Sequence, residues 1–260
     1  MANKIAGSRL VGMTCTAIRQ HARKMVASAP WSLCLFILTL PFAFLAFKSV
    51  GTIQYVFLML ALVNLLALAR MTFAWTGVIA GADPTVQQPV RTGNAEARHL
   101  ALVMLFVVVA GALLRASADI PLLLYFAMNG VGDSKFFAIL FTVLGLLWIP
   151  TAYAGALCLP SLARAASVGE YGFGAMRRAM RFRRWPLAVA LFALIVFAGF
   201  TKTMVAEVAR RMTWSGVAYG LVGSLICVAL IVIVTVMAAI AYRESSRHNA
   251  GPGSDAAVVG

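Results

Sequence analysis

The sequence contains little charge for its length. Of its 260 residues, 12% are charged and 62% are hydrophobic, and the mean hydropathy is +0.91. An ordinary soluble domain has about 25% charged and roughly 45–50% apolar residues. The polar surface is too small to cover such a chain in water, so a water-soluble globular fold is excluded.

Acidic side chains are scarce relative to basic ones. The chain has eight Asp and Glu residues and 22 Lys and Arg residues, which gives a formal net charge of +14. Clustered basic residues attract either nucleic acid or anionic lipid. Here they lie between long apolar runs, so we expect anionic lipid head groups as the partner and no nucleic acid.

Motifs that carry catalysis are also missing. The three histidines have no HxxxH or HExxH spacing, and the chain has no Gly-rich phosphate loop and no GxSxG elbow. The cysteines Cys15, Cys34, Cys158 and Cys227 lack CxxC spacing, and the last three lie in apolar runs, where a thiol packs as a small hydrophobe. We therefore expect no enzymatic activity, no cofactor, no metal site and no disulfide.

Long apolar runs are what the sequence does contain. A helix needs about 20 such residues to cross a bilayer, with some latitude at its ends. The pattern predicts an all-α, polytopic transmembrane bundle in residues 31–243, preceded by an uncleaved cytoplasmic amphipathic segment at 1–30. A disordered cytoplasmic tail is expected at 244–260. The six predicted spans are 31–47, 53–75, 100–116, 136–159, 185–205 and 217–242.

The apolar stretch from Ile120 to Met128 is too short to cross a membrane. It could prolong the third helix, lie in the interface, or enter the membrane as a re-entrant element buried against protein. We favour the interfacial placement.

The distribution of basic residues predicts the orientation, because Lys and Arg near helix ends are retained on the cytoplasmic side. With the N-terminus inside, the outer side carries six basic residues and the inner side sixteen, so both termini are expected in the cytoplasm. Arginine outnumbers lysine 17 to 5, as in GC-rich bacterial genomes, which favours a bacterial inner membrane. The sixteen are Lys4, Arg9, Arg19, Arg23, Lys24, Arg70, Arg91, Arg98, Arg164, Arg177, Arg178, Arg181, Arg183, Arg184, Arg243 and Arg247.

An internal repeat is indicated at an offset of 154 positions. It places Arg23 and Lys24 on Arg177 and Arg178, Trp31 on Trp185, and Lys48 on Lys202. The middle pair of helices matches this pattern less closely. We infer three helical hairpins in the same orientation, an arrangement that some transporters use and that also fits duplication of a stable hairpin without transport.

The segments that precede the first and fifth spans are amphipathic and basic. In the first, Ile18, Ala22, Met25 and Val26 share one helical face. Each basic residue near an anionic leaflet contributes about 1 kcal/mol, so such helices are expected in the interface plane. The predicted head-group contacts before the fifth span are Arg177, Arg178, Arg181, Arg183 and Arg184.

Polar residues at membrane depth are the default place to seek a functional site. Asn64 and Arg70 lie two turns apart in the second span. Asn64 either bridges helices or joins a substrate site, and Arg70 either extends to the inner surface or binds a substrate or a lipid phosphate. Pro150, after Trp148, interrupts the fourth span and is either a simple kink or a hinge.

Small residues spaced four apart allow two helices to approach closely. Gly216, Gly220 and Ser224 show this spacing in the sixth span, and Gly77 and Gly81 show it near the end of the second. The spacing indicates either packing within the bundle or homo-oligomerisation.

Two functional hypotheses remain, with a membrane-embedded enzyme a distant third. The first is a non-enzymatic scaffold or component of a larger envelope assembly, in contact with lipid and with other copies or other membrane proteins. The second is a small-solute or lipid transporter built on the repeat. A densely packed interior favours the scaffold, and a polar cavity favours transport.

Overall fold

The computed structural model describes residues 7–46, 51–81, 94–171, 173–174, 183–211 and 214–249. Helix accounts for 91% of the described residues, and none of them lies in a strand. The all-helical bundle predicted from the sequence is confirmed.

Eight helices follow one another in the described ranges. Each of the six spans predicted from the sequence lies largely within one of them, and most of the helices extend past the predicted bounds because small and polar residues continue them. The helices are α1 (Gly7–Ser28), α2 (Pro30–Leu45), α3 (Thr52–Ala80), α4 (Ala95–Ala118), α5 (Ile120–Ala127), α6 (Ser134–Ser167), α7 (Trp185–Arg211) and α8 (Trp214–Asn249).

Five spans are long and apolar enough to cross a membrane, and a sixth is obtained if α1 and α2 form one bent span. Helix α2 has 16 residues, which at 1.5 Å per residue is about 24 Å, short of a hydrocarbon core of roughly 30 Å. Helix α8 reaches Asn249. The predicted tail at 244–260 is therefore helical up to that residue, and the rest lies outside the described residues.

A sharp bend separates α1 from α2. The two helices meet at 88°, at Ala29, directly before Pro30 in the first turn of α2. A residue before proline avoids the helical region, and proline at a helix start loses no backbone hydrogen bond. The sequence Ala29–Pro30 therefore ends one helix and starts the next in a new direction.

Helix α1 runs across one end of the bundle. Near its start, a Cβ on Gly7 would lie 2.7 Å from Pro186 Cγ, at the beginning of α7. Near its end, the indole N–H of Trp75 in α3 donates to the carbonyl of Met25 at 3.0 Å. These two contacts fix α1 against the first turn of α7 and the last turns of α3.

The face of α1 that is buried differs from the one expected. Leu10, Thr14, Ala17 and Met25 are buried against the bundle, whereas Ala22 and Val26, assigned to the apolar face, are exposed. Leu10, Thr14 and Ala17 lie on one face of α1, at positions i, i+4 and i+7. This face packs against α3 and α8 because the 88° bend turns it toward them. The basic residues of α1, Arg9, Arg19, Arg23 and Lys24, are all exposed.

Two pairs of helices pack more extensively than the others: α2 with α3, and α7 with α8. In the second pair, the packing leaves no room for a side chain at Gly223, where an added Cβ would lie 2.4 Å from Thr201 Oγ1 and 3.2 Å from Thr201 Cβ. A Cβ added at Gly220 would lie 3.6 Å from Val205 Cγ2, an ordinary van der Waals distance. Ser224 is buried and donates to the Gly220 carbonyl at 2.8 Å.

The third crossing is longer than predicted. Only Asp119 separates α4 from α5, and together they form one apolar span of 33 residues, Ala95–Ala127. Pro121 lies in the first turn of α5, where its missing N–H costs little, so the helix resumes at once. The interfacial placement favoured for Ile120–Met128 was wrong; the stretch prolongs the third helix.

Helix α8 forms the centre of the bundle. Half of its most apolar window is buried, against 17–28% for the other spans, and it contacts α1, α2, α3, α6 and α7. Its C-terminal half contains Ala238, Ala239 and Ala241, whose small side chains let neighbouring helices approach. Large apolar side chains on α2, α3, α4, α6 and α7 are exposed on the outside, as expected for helices in lipid.

Candidate functional site

Asn64 joins α3 to α2. Its side chain is 6% exposed, and its amide nitrogen donates to the Phe36 carbonyl at 2.8 Å and to Thr39 Oγ1 at 3.0 Å. The Thr39 hydroxyl in turn donates to the Leu35 carbonyl at 2.7 Å. The amide N–H groups thus have protein partners, and Asn64 acts as a bridge between two helices.

Arg70 is not part of that bridge. Its guanidinium Nε donates to Glu96 Oε1 at 3.1 Å, and the two side chains are 73% and 52% exposed. Glu96 lies in the first turn of α4, where a carboxylate also interacts favourably with the helix dipole. The predicted pair of Asn64 and Arg70 is therefore split between the α2–α3 contact and the exposed start of α4.

An apolar crevice lies beside this ion pair. It has a volume of about 520 Å³. Helix α2 forms one side, α3 forms the floor and α4 forms the other side. The lining residues are Trp31, Ser32 and Leu35 of α2, Val63, Leu66, Ala67, Ala69 and Arg70 of α3, and Glu96 and Leu100 of α4. Trp31, Leu35, Val63 and Leu66 are exposed, so the crevice opens to the outside of the bundle.

We call the end of the bundle at which α2, α4 and α7 begin the basic end. His99, buried to 1% exposure, ties three helices together there. Its Nδ1 lies 3.2 Å from the Leu162 carbonyl of α6, and its Nε2 lies 3.0 Å from Thr72 Oγ1 of α3. A carbonyl only accepts, so Nδ1 carries a hydrogen.

Two further arginines of the basic end bind the loop after α6. Arg98 Nη1 donates to the Gly169 carbonyl, and its guanidinium lies 5.7 Å from the centre of the Tyr171 ring. Arg164 pairs with Glu170 at 2.7 Å. These contacts hold the end of α6 against the start of α4.

The predicted hinge residues lie inside one continuous helix. Trp148 is buried, Pro150 is exposed, and α6 continues from Ser134 to Ser167 with a second proline, Pro160, inside it. Pro150 therefore faces outward from the bundle. Whether this part of α6 moves stays a prediction.

The predicted packing glycines differ in their surroundings. Gly77 is half-buried, and Gly81 is exposed at the C-cap of α3, where its N–H donates to the Gly77 carbonyl. Gly223 has less room for a side chain than Gly220, and the four-residue spacing of Gly216, Gly220 and Ser224 does not include it. Packing within the bundle and homo-oligomerisation both stay predictions for these small residues.

The predicted head-group arginines are only partly described. Arg183 is exposed and Arg184 is half-buried, directly before α7. Arg177, Arg178 and Arg181 lie outside the described residues.

Sequence reasoning missed Glu96, His99, Thr72 and Trp75. The predicted third span starts at Leu100 and so leaves out Glu96 and His99, although α4 begins at Ala95. The spacing of Thr72 and Thr76, one turn apart near the end of α3, was the available signal for a polar helix contact. No group of three or more His, Cys, Asp or Glu side chains suited to a metal ion occurs in the described ranges.

The chain matches no protein-family model, no curated protein and no solved structure.

Proposed function

We propose that the chain is a non-enzymatic membrane scaffold: a polytopic protein of a bacterial inner membrane that packs against other copies or other membrane proteins. Five or six apolar spans support an integral membrane protein. The scaffold role is supported by how the interior of the bundle is filled.

The observation that carries the proposal is the pairing of the buried polar side chains. Thr14, Thr39, Thr76, Ser117, Thr201, Ser224 and Ser245 each donate to a backbone carbonyl of their own helix, and the Thr72 hydroxyl donates to His99 Nε2. Asn64 and His99 bond to neighbouring helices. A polar group that already has a protein partner is poorly suited to bind a solute, because that partner must first be given up. An interior of this kind favours a structural role.

The orientation proposed from the basic residues agrees with the packing of the termini. Helices α1 and α8 contact each other, so the described chain begins and ends at the same end of the bundle. The exposed arginines and lysine of α1 are available there to anionic head groups. With sixteen basic residues expected at this side, we propose that it is the cytoplasmic one.

A transporter is the second candidate. It is favoured by two buried polar atoms that have no partner among the described residues, Ser161 Oγ in α6 and Arg243 Nε in α8. Buried unpaired groups are unusual and call for a reason such as unseen water. The two lie near the basic end, and a polar path would have to continue from them past the buried alanines of α8.

The two candidates differ in the reactivity of interior thiols. In single-cysteine variants in membranes, a small water-soluble thiol reagent is expected to label Cys15, which is exposed, and to leave Cys227, Ala239→Cys and Ser161→Cys unlabelled. Cys227 and Ala239 are 2% and 0% exposed. The readout is the fraction labelled with time, before and after solubilisation in denaturing detergent.

Denaturation serves as the control, because all four positions should then react. Labelling of Ala239→Cys and Ser161→Cys in intact membranes at the rate of Cys15 would overturn the scaffold in favour of a water-filled path. Crosslinking in membranes, followed by native gels, is expected to give a homo-oligomer or a complex with a partner. A strictly monomeric species would contradict the assembly part of the proposal.

A further inference from the structure

The crevice between α2, α3 and α4 combines features that belong to a membrane lipid. Its sides are apolar along Leu35, Val63 and Leu66, and one end carries the ion pair of Arg70 and Glu96. Its volume of about 520 Å³ lies within the roughly 300–1,000 Å³ of typical ligand sites. An acyl chain suits the sides, and a polar head group suits the end.

The crevice also lies at the right depth for a phospholipid. Trp31 lies in the first turn of α2 and is 81% exposed, and exposed tryptophans concentrate at the membrane–water interface. Arg70 lies on the same level as Trp31, and Leu35 and Val63 lie deeper along the antiparallel helices. A lipid in the leaflet at the basic end would therefore enter with its head group beside the ion pair.

The ion pair leaves binding capacity on both partners. Within the described part of the chain, Arg70 uses only Nε, so its two terminal nitrogens can donate to a phosphate. One oxygen of Glu96 accepts that bond, and the other can accept from an ammonium group. As an exposed pair in water it would contribute only about 0–1 kcal/mol to stability, so stability is a weak reason for its presence.

We propose that this crevice binds phosphatidylethanolamine, a phospholipid whose head group carries a phosphate and a primary ammonium. The phosphate pairs with Arg70, the ammonium donates hydrogen bonds to Glu96, and one acyl chain lies along Leu35, Val63 and Leu66. A purely anionic head group meets repulsion from Glu96. A quaternary choline ammonium has no N–H to donate to the carboxylate. This site requires only that the chain spans a bilayer and does not depend on the scaffold role.

Competition between lipids tests the proposal. The purified full chain in mild detergent is incubated with equal amounts of phosphatidylethanolamine, phosphatidylglycerol and phosphatidylcholine, and bound lipid is counted by native mass spectrometry. The wild type is expected to retain phosphatidylethanolamine preferentially. Arg70→Gln is expected to weaken that binding about tenfold, the size of one lost charge-assisted hydrogen bond.

Glu96→Gln gives the sharper result. The neutral amide of glutamine removes the charge that attracts the ammonium and repels an anionic head group, so the preference should shift from phosphatidylethanolamine to phosphatidylglycerol. A residue that only stabilises the fold would not reverse lipid selectivity. Leu66→Trp, which fills the crevice beside the head-group end, is expected to reduce binding of all three lipids.

The matched control is the ion pair of Arg164 and Glu170, also at the basic end, with the glutamate 57% exposed. Arg164→Gln and Glu170→Gln should keep wild-type lipid selectivity. Unchanged selectivity in both Arg70→Gln and Glu96→Gln would overturn the proposal, and so would a lipid-free dimer that Leu66→Trp abolishes, since the crevice would then be a protein interface. Interior thiol labelling is independent of these outcomes, so the failure of this site and the failure of the scaffold remain distinguishable.

Discussion

The two hairpins that the sequence relates as copies are held together by different chemistry. In α2–α3, the Asn64 amide donates to the Phe36 carbonyl and to Thr39 across the contact. In α7–α8, Gly223 lets the backbone approach Thr201, and the Thr201 hydroxyl lies 3.6 Å from Cys227 Sγ. The first contact depends on a polar bridge, and the second depends on the absence of a side chain.

The offset of 154 positions explains what the two hairpins share. It matches the basic pairs, Trp31 with Trp185, and Lys48 with Lys202, but it places Thr39 on Ala193, which cannot replace the hydroxyl. The matched residues are those that any hairpin entering from a basic interface requires. The internal repeat therefore stays a prediction, and the packing of each hairpin has its own sequence basis.

The largest expected effect is on α7–α8. Gly223→Leu forces a side chain into Thr201, and overpacking of this kind typically costs about 1–3 kcal/mol. We expect the upper part of that range, because the nearest atoms belong to a β-branched residue held by its bond to the Phe197 carbonyl. The free energy of unfolding in mixed micelles, followed by far-UV circular dichroism, measures the loss.

Gly199→Leu in α7 is the control, because nothing lies within 4 Å of a Cβ at that position. It should leave the stability close to that of the wild type. If both variants lose the same stability, the close approach at Gly223 contributes nothing, and the contrast between the hairpins is wrong.

The fold was largely readable from the sequence, because lipid imposes long apolar runs and helical backbone pairing. The errors concern places where one residue decides. Pro121 permits α5 to continue α4 instead of leaving it, and Ala29–Pro30 turns α1 so that its Leu10 and Thr14 side faces protein. Neither outcome follows from apolar content, since both depend on which neighbouring helix is available.

The candidate site was less accessible to sequence reasoning. Asn64 was found because a polar residue within an apolar run is conspicuous, and its helix-bridging role was one of the two alternatives. Glu96 was not found because it lies where charged residues are common and carry no signal. Only the packing of α3 beside α4 brings it to Arg70, and a contact between residues 26 positions apart requires the tertiary structure.

An intermediate effect is expected on α2–α3. Asn64→Leu removes both interhelical hydrogen bonds, and such bonds in membrane helices contribute about 0.6–2 kcal/mol. Thr39→Val removes only one of the two acceptors and should cost less. The same unfolding measurement gives both values.

The double variant separates a true bridge from two independent losses. If the bond between Asn64 and Thr39 contributes, Asn64→Leu with Thr39→Val should cost less than the sum of the two single losses, because the shared bond can be lost only once. Strict additivity would show that the bond between Asn64 and Thr39 contributes nothing, and the contrast with α7–α8 would then depend on the bond from Asn64 to the Phe36 carbonyl. Asn64→Leu should also not change the reactivity of Cys15, which lies outside this contact.

The smallest effects concern the residues that the two hairpins share. Trp185 has its ring 5.5 Å from that of Tyr153, and an aromatic pair contributes about 0.5–1.5 kcal/mol beyond burial. Trp31 has no such ring neighbour among the described residues. In detergent without added phospholipid, which leaves the crevice beside Trp31 out of the measurement, Trp185→Ala should cost about 1 kcal/mol and Trp31→Ala less than half of that. Tyr153→Leu in the Trp185→Ala background should add little. Equal losses at the two tryptophans would mean that their common position in the hairpin, rather than the local partner, determines their contribution, and the repeat would gain an energetic basis that the contacts alone do not provide.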